Sequence, residues 1–190
     1  MKTYTQKELQ EILYNHELWL SDTTQGKRAD LSNSYLSHSD LSYRDLSYSN
    51  LSNSNLRDSN LSGSNLHGSD LSNVCYNETT SFLALQCPEE GSFIGYKKAS
   101  YYIIKLEITK DAKRSSATSR KCRCNKALVL GIYDENKTLL SLTSIASDYD
   151  DNFIYQVGQI VEVKNFNDDR WIECTSGIHF FITFDEAKNY

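Results

Sequence analysis

The sequence predicts a mainly β protein in two parts, a short leucine-keyed repeat entered through one helix and a small β-rich domain after it. Three observations lead there. Leucine stands at positions 31, 36, 41, 46, 51, 56, 61, 66 and 71, nine times at a strict period of five. After Asn73 that period stops, and segments with the alternation of strands take over. Helical patterning is confined to the beginning of the chain and its last few residues.

The 190 residues allow one or two domains. The mean hydropathy is -0.55, and no run approaches the ~18 apolar residues of a membrane span. The start, "MKTYTQKELQ", has no apolar core of a secretory signal. A cytoplasmic protein with no membrane partner is expected. Five cysteines, Cys75, Cys87, Cys122, Cys124 and Cys174, are an odd number without a disulfide framework, so free thiols in a reducing compartment are expected.

Residues 1–28 read as a capping helix and lead-in. Thr5 and Glu8 have capping-box spacing, and Leu9, Ile12 and Leu13 lie on one helical face, with Trp19 and Leu20 following. A repeat that exposes its ends needs such a cap.

Residues 29–73 are the repeat. Asp or Asn precedes the leucine in eight of nine cases, with Tyr35 the exception, and Ser follows it in seven. Two places before the leucine stands Ala29 and then Ser, except for Arg44. A period of five fits neither a helix nor a strand. This pattern resembles the pentapeptide-repeat family, whose motif reads A(D/N)LXX. The resemblance implies a short right-handed quadrilateral β-helix with one pentapeptide per side, the leucines stacked inward and the small residues beside them. Arg44 should either distort the coil or reach solvent. Four sides make a coil of about twenty residues, so the repeat completes a little over two coils, roughly 10 Å of stacked strands. Homo-oligomerisation through the β-helix is a further expectation.

Residues 74–190 read as a β-rich domain. "YYIIKLEI" alternates, with Tyr102, Ile104, Leu106 and Ile108 on one face. "KALVLGIYD", "FIYQVGQIVEV" and "GIHFFITF" also read as strands, and "DEAKNY" as a short helix opened by acidic residues. Pro88 marks a boundary region. "ALQCPEEGSFIGYKK", "DAKRSSATSRKCR" and "ECTSGIHFFIT" resemble a C-terminal domain that accompanies short pentapeptide repeats in bacterial and phage-encoded proteins. The resemblance implies a phage or bacterial source and supplies no catalytic residue.

The chemistry-bearing feature is "KRSSATSRKCRC". Between Lys110 and Lys126 stand seven basic residues against Asp111, a net of +6, in a chain whose total is -5. Arginine forks suit phosphate oxygens, and hydroxyls add neutral donors. Lys113, Arg114, Ser115, Ser116, Thr118, Ser119, Arg120 and Arg123 are therefore the candidate ligand-binding residues, with His179 facing the same pocket. A plain solvated basic loop is the competing reading. Glycine is absent, so the segment is not a P-loop. Cys122 and Cys124, with Cys174 and His179, have the wrong spacing for zinc and read as packing thiols. "ASDYDDN" lacks the glycine and distal glutamate of a calcium loop and reads as a turn.

No metal, cofactor or catalytic residue is therefore expected. The favoured function is non-enzymatic: a phage or bacterial binding protein holding a small anionic, nucleotide-like ligand, in one form sequestering a host-defence nucleotide signal. Nucleic acid is not an expected partner, since few aromatics interleave the bases. One alternative comes from the resemblance, a DNA-mimicking inhibitor of a DNA-binding enzyme such as gyrase. Another is an enzyme that processes a nucleotide or phosphoester.

Overall fold

The computed structural model describes residues 1–190. The chain is mainly β with two helices and divides into two compact units. Unit 1 holds Met1–Ala84 together with the short segments Ala117–Ser119 and Asp169–Glu173; unit 2 holds the rest. No helix is long and apolar enough to cross a membrane.

In unit 1 the repeat pairs with itself at a spacing of twenty residues. Parallel bridges join Asp30 to Asn50, Tyr35 to Asn55, Asp40 to Asn60, Asp45 to Asn65 and Asn50 to Asp70. Four pentapeptides therefore make one coil. Leu31 to Leu66 stack in a single core at 0–1% exposure, and Leu71 closes it partly buried. The small residues share that interior: Ala29, Ser34, Ser49, Ser54, Ser59 and Ser64 are buried. Burying a hydroxyl is costly unless it is bonded. Ser54, Ser59 and Ser64 meet that demand by donating to the carbonyls of Leu51, Leu56 and Leu61 at 2.6, 2.6 and 2.8 Å.

The polar letters of the repeat have equally local reasons. The side chains of Asp40, Asp45, Asn50 and Asn60 accept from the backbone N–H two residues on, at 3.0–3.1 Å, closing Asx turns at the corners. Asp in the first coil faces Asn in the second, so Asn50, Asn60 and Asn65 donate to Asp30, Asp40 and Asp45 at 3.2, 3.4 and 3.1 Å. Stacked carboxylates would repel; the Asp–Asn alternation removes that penalty. Arg44 leaves the ladder intact, its carbonyl accepting from Asn65 at 2.9 Å. Its guanidinium turns outward to Glu17 at 3.5 Å.

Each corner residue, two places after the leucine, has a left-handed backbone, from Asn33 at φ 53° to Gly63 at 67°. Asn, Asp and Gly tolerate that region. Tyr43 and Tyr48 occupy it too, and each ring lies over the glycine one coil along: a methyl built on Gly63 or Gly68 would meet the ring carbons at 2.7 Å.

Helix α1 (Gln6–Ser21) starts at a complete Thr5–Glu8 capping box. Leu13 joins the leucine core directly, with Leu9 and Ile12 packed against it. Strand β1 (Lys2–Thr3) pairs in parallel with β2 (Ser34–Tyr35), covering part of that edge. His16 is fully buried and its Nδ1 accepts the N–H of Ala29 at 3.2 Å. Burial holds its pKa below the usual imidazole value.

Unit 2 is built on a four-stranded antiparallel sheet of β3 (Phe93–Ala99), β4 (Tyr102–Ile108), β7 (Lys126–Tyr133) and β10 (Ile160–Glu162), in the order β10-β7-β4-β3. A second sheet, β11-β6-β5, joins β5 (Arg114–Ser116), β6 (Cys122–Cys124) and β11 (Ile178–Phe180). Ile104, Leu106, Ile108 and Val129 of the first sheet share one core with Cys122, Cys124, Ile178 and Phe180 of the second. Ile103 points to the opposite face and packs with Phe184 and Ala187 of α2 (Phe184–Asn189). β8 (Ser144–Ala146) and β9 (Ile154–Gln156) form a separate ribbon. The segment "FIYQVGQIVEV", expected as one strand, thus breaks into β9 and β10, at a turn where Gly158 has φ 82°.

Two outcomes follow. Replacing Gly63 by alanine adds a strained left-handed residue, costing about 1–2 kcal/mol, and a clash with Tyr43. In urea melts Tyr43→Ala should relieve the clash part only. For His16 the folded pKa is depressed, so its contribution is complete above the unfolded value near 6.5 and is lost as pH falls below it. Protonation would also remove the acceptor for Ala29. The melting temperature should fall below pH ~6.5, and His16→Gln should flatten that slope.

Candidate functional site

The basic segment folds as a hairpin rather than a loop. Arg114 pairs with Cys124, Ser115 with Arg123 and Ser116 with Cys122 across β5 and β6. Its arginines reach into the fold. Arg114 donates to the carbonyls of Gly91 and Thr109 at 2.8 Å and of Ala112 at 3.2 Å, and lies over Phe93. Arg123, at 2% exposure, donates to the carbonyls of Asn167 and Ser176 at 3.0 and 3.1 Å and covers Phe166. Arg120 pairs with Glu186 at 2.7 Å and bonds Gln86. Lys113 pairs with Asp168 at 2.9 Å. The Lys126 ammonium, hydrogen-bonded to Asp111 at 2.5 Å, holds that carboxyl down to about 2.

Three of the four hydroxyls are engaged as well. Ser116 accepts the N–H of Gln86 at 2.9 Å, Ser119 donates to Glu173, and Ser115 is buried with no partner. Thr118 acts within unit 1. Its hydroxyl donates to the carbonyl of Ser64, and its own carbonyl accepts from Gly63 at 2.7 Å. The segment Asp169–Glu173 adds a bond from Asp169 to His67 at 2.9 Å, a bond from Arg170 to the carbonyl of Leu83 at 2.7 Å, and Trp171 against the leucine core. Of the nine sequence-chosen site residues, eight thus serve the fold's own hydrogen bonds, ion pairs and packing.

The ninth, His179, lines a cleft in unit 2 of about 860 Å³. Lys121, from the same basic segment, lines it too. Further walls come from residues that the sequence reading did not choose for ligand binding, among them Lys97 of β3, Tyr155 of β9, Asp148 after β8, Cys174 and Tyr190. Lys97 and Lys121 are only 8% and 7% exposed. Lysine is almost never buried this far unless paired.

Lys121 is held in place. Its Nζ donates to the Tyr190 hydroxyl at 3.1 Å and the Cys174 sulfur at 3.2 Å, and lies 5.2 Å from the Tyr190 ring centre. Lys97 is different. It stands at an inward position of β3 between Gly95 and Ala99, opposite Ile104. Its ammonium has no hydrogen bond or ion pair and faces only the Tyr155 ring, 5.8 Å away. The carboxylate nearest in charge, Asp148, is occupied with the N–H and hydroxyl of Ser100 at 2.9–3.0 Å. Burial lowers the pKa of Lys97; Asp148 opposes this and Lys121 adds to it. Burial also raises the Tyr155 hydroxyl above the usual phenol value, so it stays protonated.

The cleft can therefore do two things chemically. Two amines, one of them without an anionic partner, can hold an anion among aromatic walls. A desolvated lysine beside a second cation is also a better nucleophile than a solvated one. The thiols Cys122 and Cys124 are buried core members; hydrogen bonding to Cys87 and burial raise the first, and burial pushes the second up to about 12.

Arg123→Met keeps bulk but removes the charged donor to the carbonyls of Asn167 and Ser176, so it should cost about 1–3 kcal/mol in denaturant unfolding. Arg120→Ala, which removes a partly exposed pair, should cost under about 1 kcal/mol.

Comparison with known proteins places this geometry. Pentapeptide repeats, in eight copies, match residues 27–61 and 45–75. Residues 83–187 match a family of unknown function, DUF5758. Neither a curated protein nor a solved structure is found to match the chain. With more than half its length covered by that match, the chain belongs to the DUF5758 family and carries pentapeptide repeats ahead of the family's domain.

Proposed function

We propose that unit 2 is a non-enzymatic binding module whose cleft takes a small anionic ligand between the Lys97 and Lys121 amines. The observation that carries this is a lysine only 8% exposed whose amine has no protein hydrogen bond and lines the cleft. Leaving Lys97 unpaired costs the folded protein stability, and an anion in the cleft would remove that cost. The aromatic walls, among them Tyr155 and Tyr190, favour a ligand with a flat ring, so a nucleotide is the class proposed. Such a module acts by holding its ligand, and sequestration of a nucleotide signal in a bacterial cytoplasm is the form that suits it. The repeat serves as scaffold, and we propose for it the right-handed quadrilateral β-helix; the twenty-residue bridge spacing supports four sides.

Calorimetry with inorganic phosphate, linear nucleotides and cyclic nucleotides tests the binding. At least one should bind, and Lys97→Met or Lys121→Met should weaken it about tenfold or more, as loss of a charged contact does. Arg114→Ala should destabilise the fold and leave affinity unchanged in the folded fraction. Absence of binding across the panel, or binding indifferent to both lysines, overturns the proposal.

A further inference from the structure

An anion site alone leaves one feature of the cleft without a purpose. Electrostatic capture works best with an amine held in a fixed position. Lys121 is placed for that, its ammonium fixed by Tyr190 and Cys174. Lys97 is instead rooted inside a sheet, at an inward position between two small residues, with its amine aimed along the Tyr155 ring and bonded to nothing. A second cation lines the same cleft.

We infer that the Lys97 amine is a nucleophile that condenses with the carbonyl of an anionic aldehyde or ketone held in this cleft. The inference rests on the anion-binding reading above and names its ligand class further. Chemically the step is balanced without an oxidant. The lone pair of the neutral amine attacks the carbonyl carbon; a C–N bond forms and the C=O pair moves onto oxygen, which takes up a proton. Nitrogen then gives up its remaining proton as the hydroxyl leaves as water, so amine plus carbonyl yields imine plus one water. Lys121 anchors the ligand's anionic group. The folded protein helps by lowering the Lys97 pKa, which enlarges the share of reactive neutral amine: burial disfavours the ammonium, and the neighbouring cation adds to that.

Pyridoxal 5′-phosphate, an aromatic aldehyde with a phosphate, is the probe. The full chain is incubated with it at neutral pH, reduced with borohydride and mapped by peptide mass spectrometry. One adduct should dominate, on Lys97, exceeding that on an exposed lysine such as Lys7 by about tenfold or more. Its formation should set in at lower pH than that of the exposed lysines. Lys97→Arg should abolish the adduct while phosphate binding, measured by calorimetry, persists through Lys121. Labelling spread over the lysines according to exposure, with phosphate binding intact, overturns the imine alone. Loss of phosphate binding in the unmodified chain overturns the anion site beneath it.

Discussion

A coil that pairs with itself every twenty residues has a first and a last coil, and each leaves backbone donors and acceptors with no coil beyond. That constraint governs the repeat half of the molecule. At the first coil, β1 pairs with Ser34 and Tyr35, and α1 lays Leu13 over the leucine stack. At the last, Thr118 pairs with Gly63 and Ser64, and Trp171 covers apolar surface. The flanking segments begin the closure, with Cys75 and Ser81 bridging to Asn55 and Asn60, and Thr118 and Trp171 join from distant parts of the sequence. Edge groups already paired within the chain are also unavailable to a stacking copy.

Satisfaction of buried polar groups organises unit 2 as well. Its second sheet has very short strands, so hydrogen bonds between strands hold little of the hairpin. Arginine supplies the rest. Arg114 and Arg123 each reach several backbone carbonyls while stacking on a phenylalanine. A guanidinium can stay charged and buried when its donors are met by carbonyls and a ring face. A lysine has no such fork. This is why Arg123 is quiet inside the fold and Lys97, equally inward, is not.

Much of unit 1 could be read without coordinates. The leucine period, the small residue beside it and the Asx preceding it each report a contact that recurs identically on every side. The capping box was equally plain, since Thr5 and Glu8 are three residues apart. For Arg44 the two alternatives were distortion or outward escape, and the Glu17 pair decides for escape. In unit 2, β4, β7 and β11 stood out and β9 and β10 were read as one strand, whereas β3 was hidden by its lysines. "FIGYKKA" breaks the apolar alternation at the very residue that matters, so Lys97 went unremarked. The basic segment misled for the opposite reason. Its composition is that of a phosphate loop, but its partners are carbonyls and carboxylates far along the chain, such as Gly91 for Arg114 and Glu186 for Arg120.

By itself the sequence determined what repeats or lies within a few residues: the period of five, from which the family resemblance implied the twenty-residue coil and its inward leucines, and the Thr5–Glu8 cap of the first helix. Those contacts depend on spacing along the chain, and spacing is what a sequence displays. Only the tertiary structure decided which cations are consumed and which remain. Arg114, Arg120 and Arg123 meet acceptors many residues away, and Lys97 is turned inward by sheet register beside a cleft built from six separate stretches. A charge's reactivity depends on its distance from compensating groups, and for these residues that distance is set by folding alone.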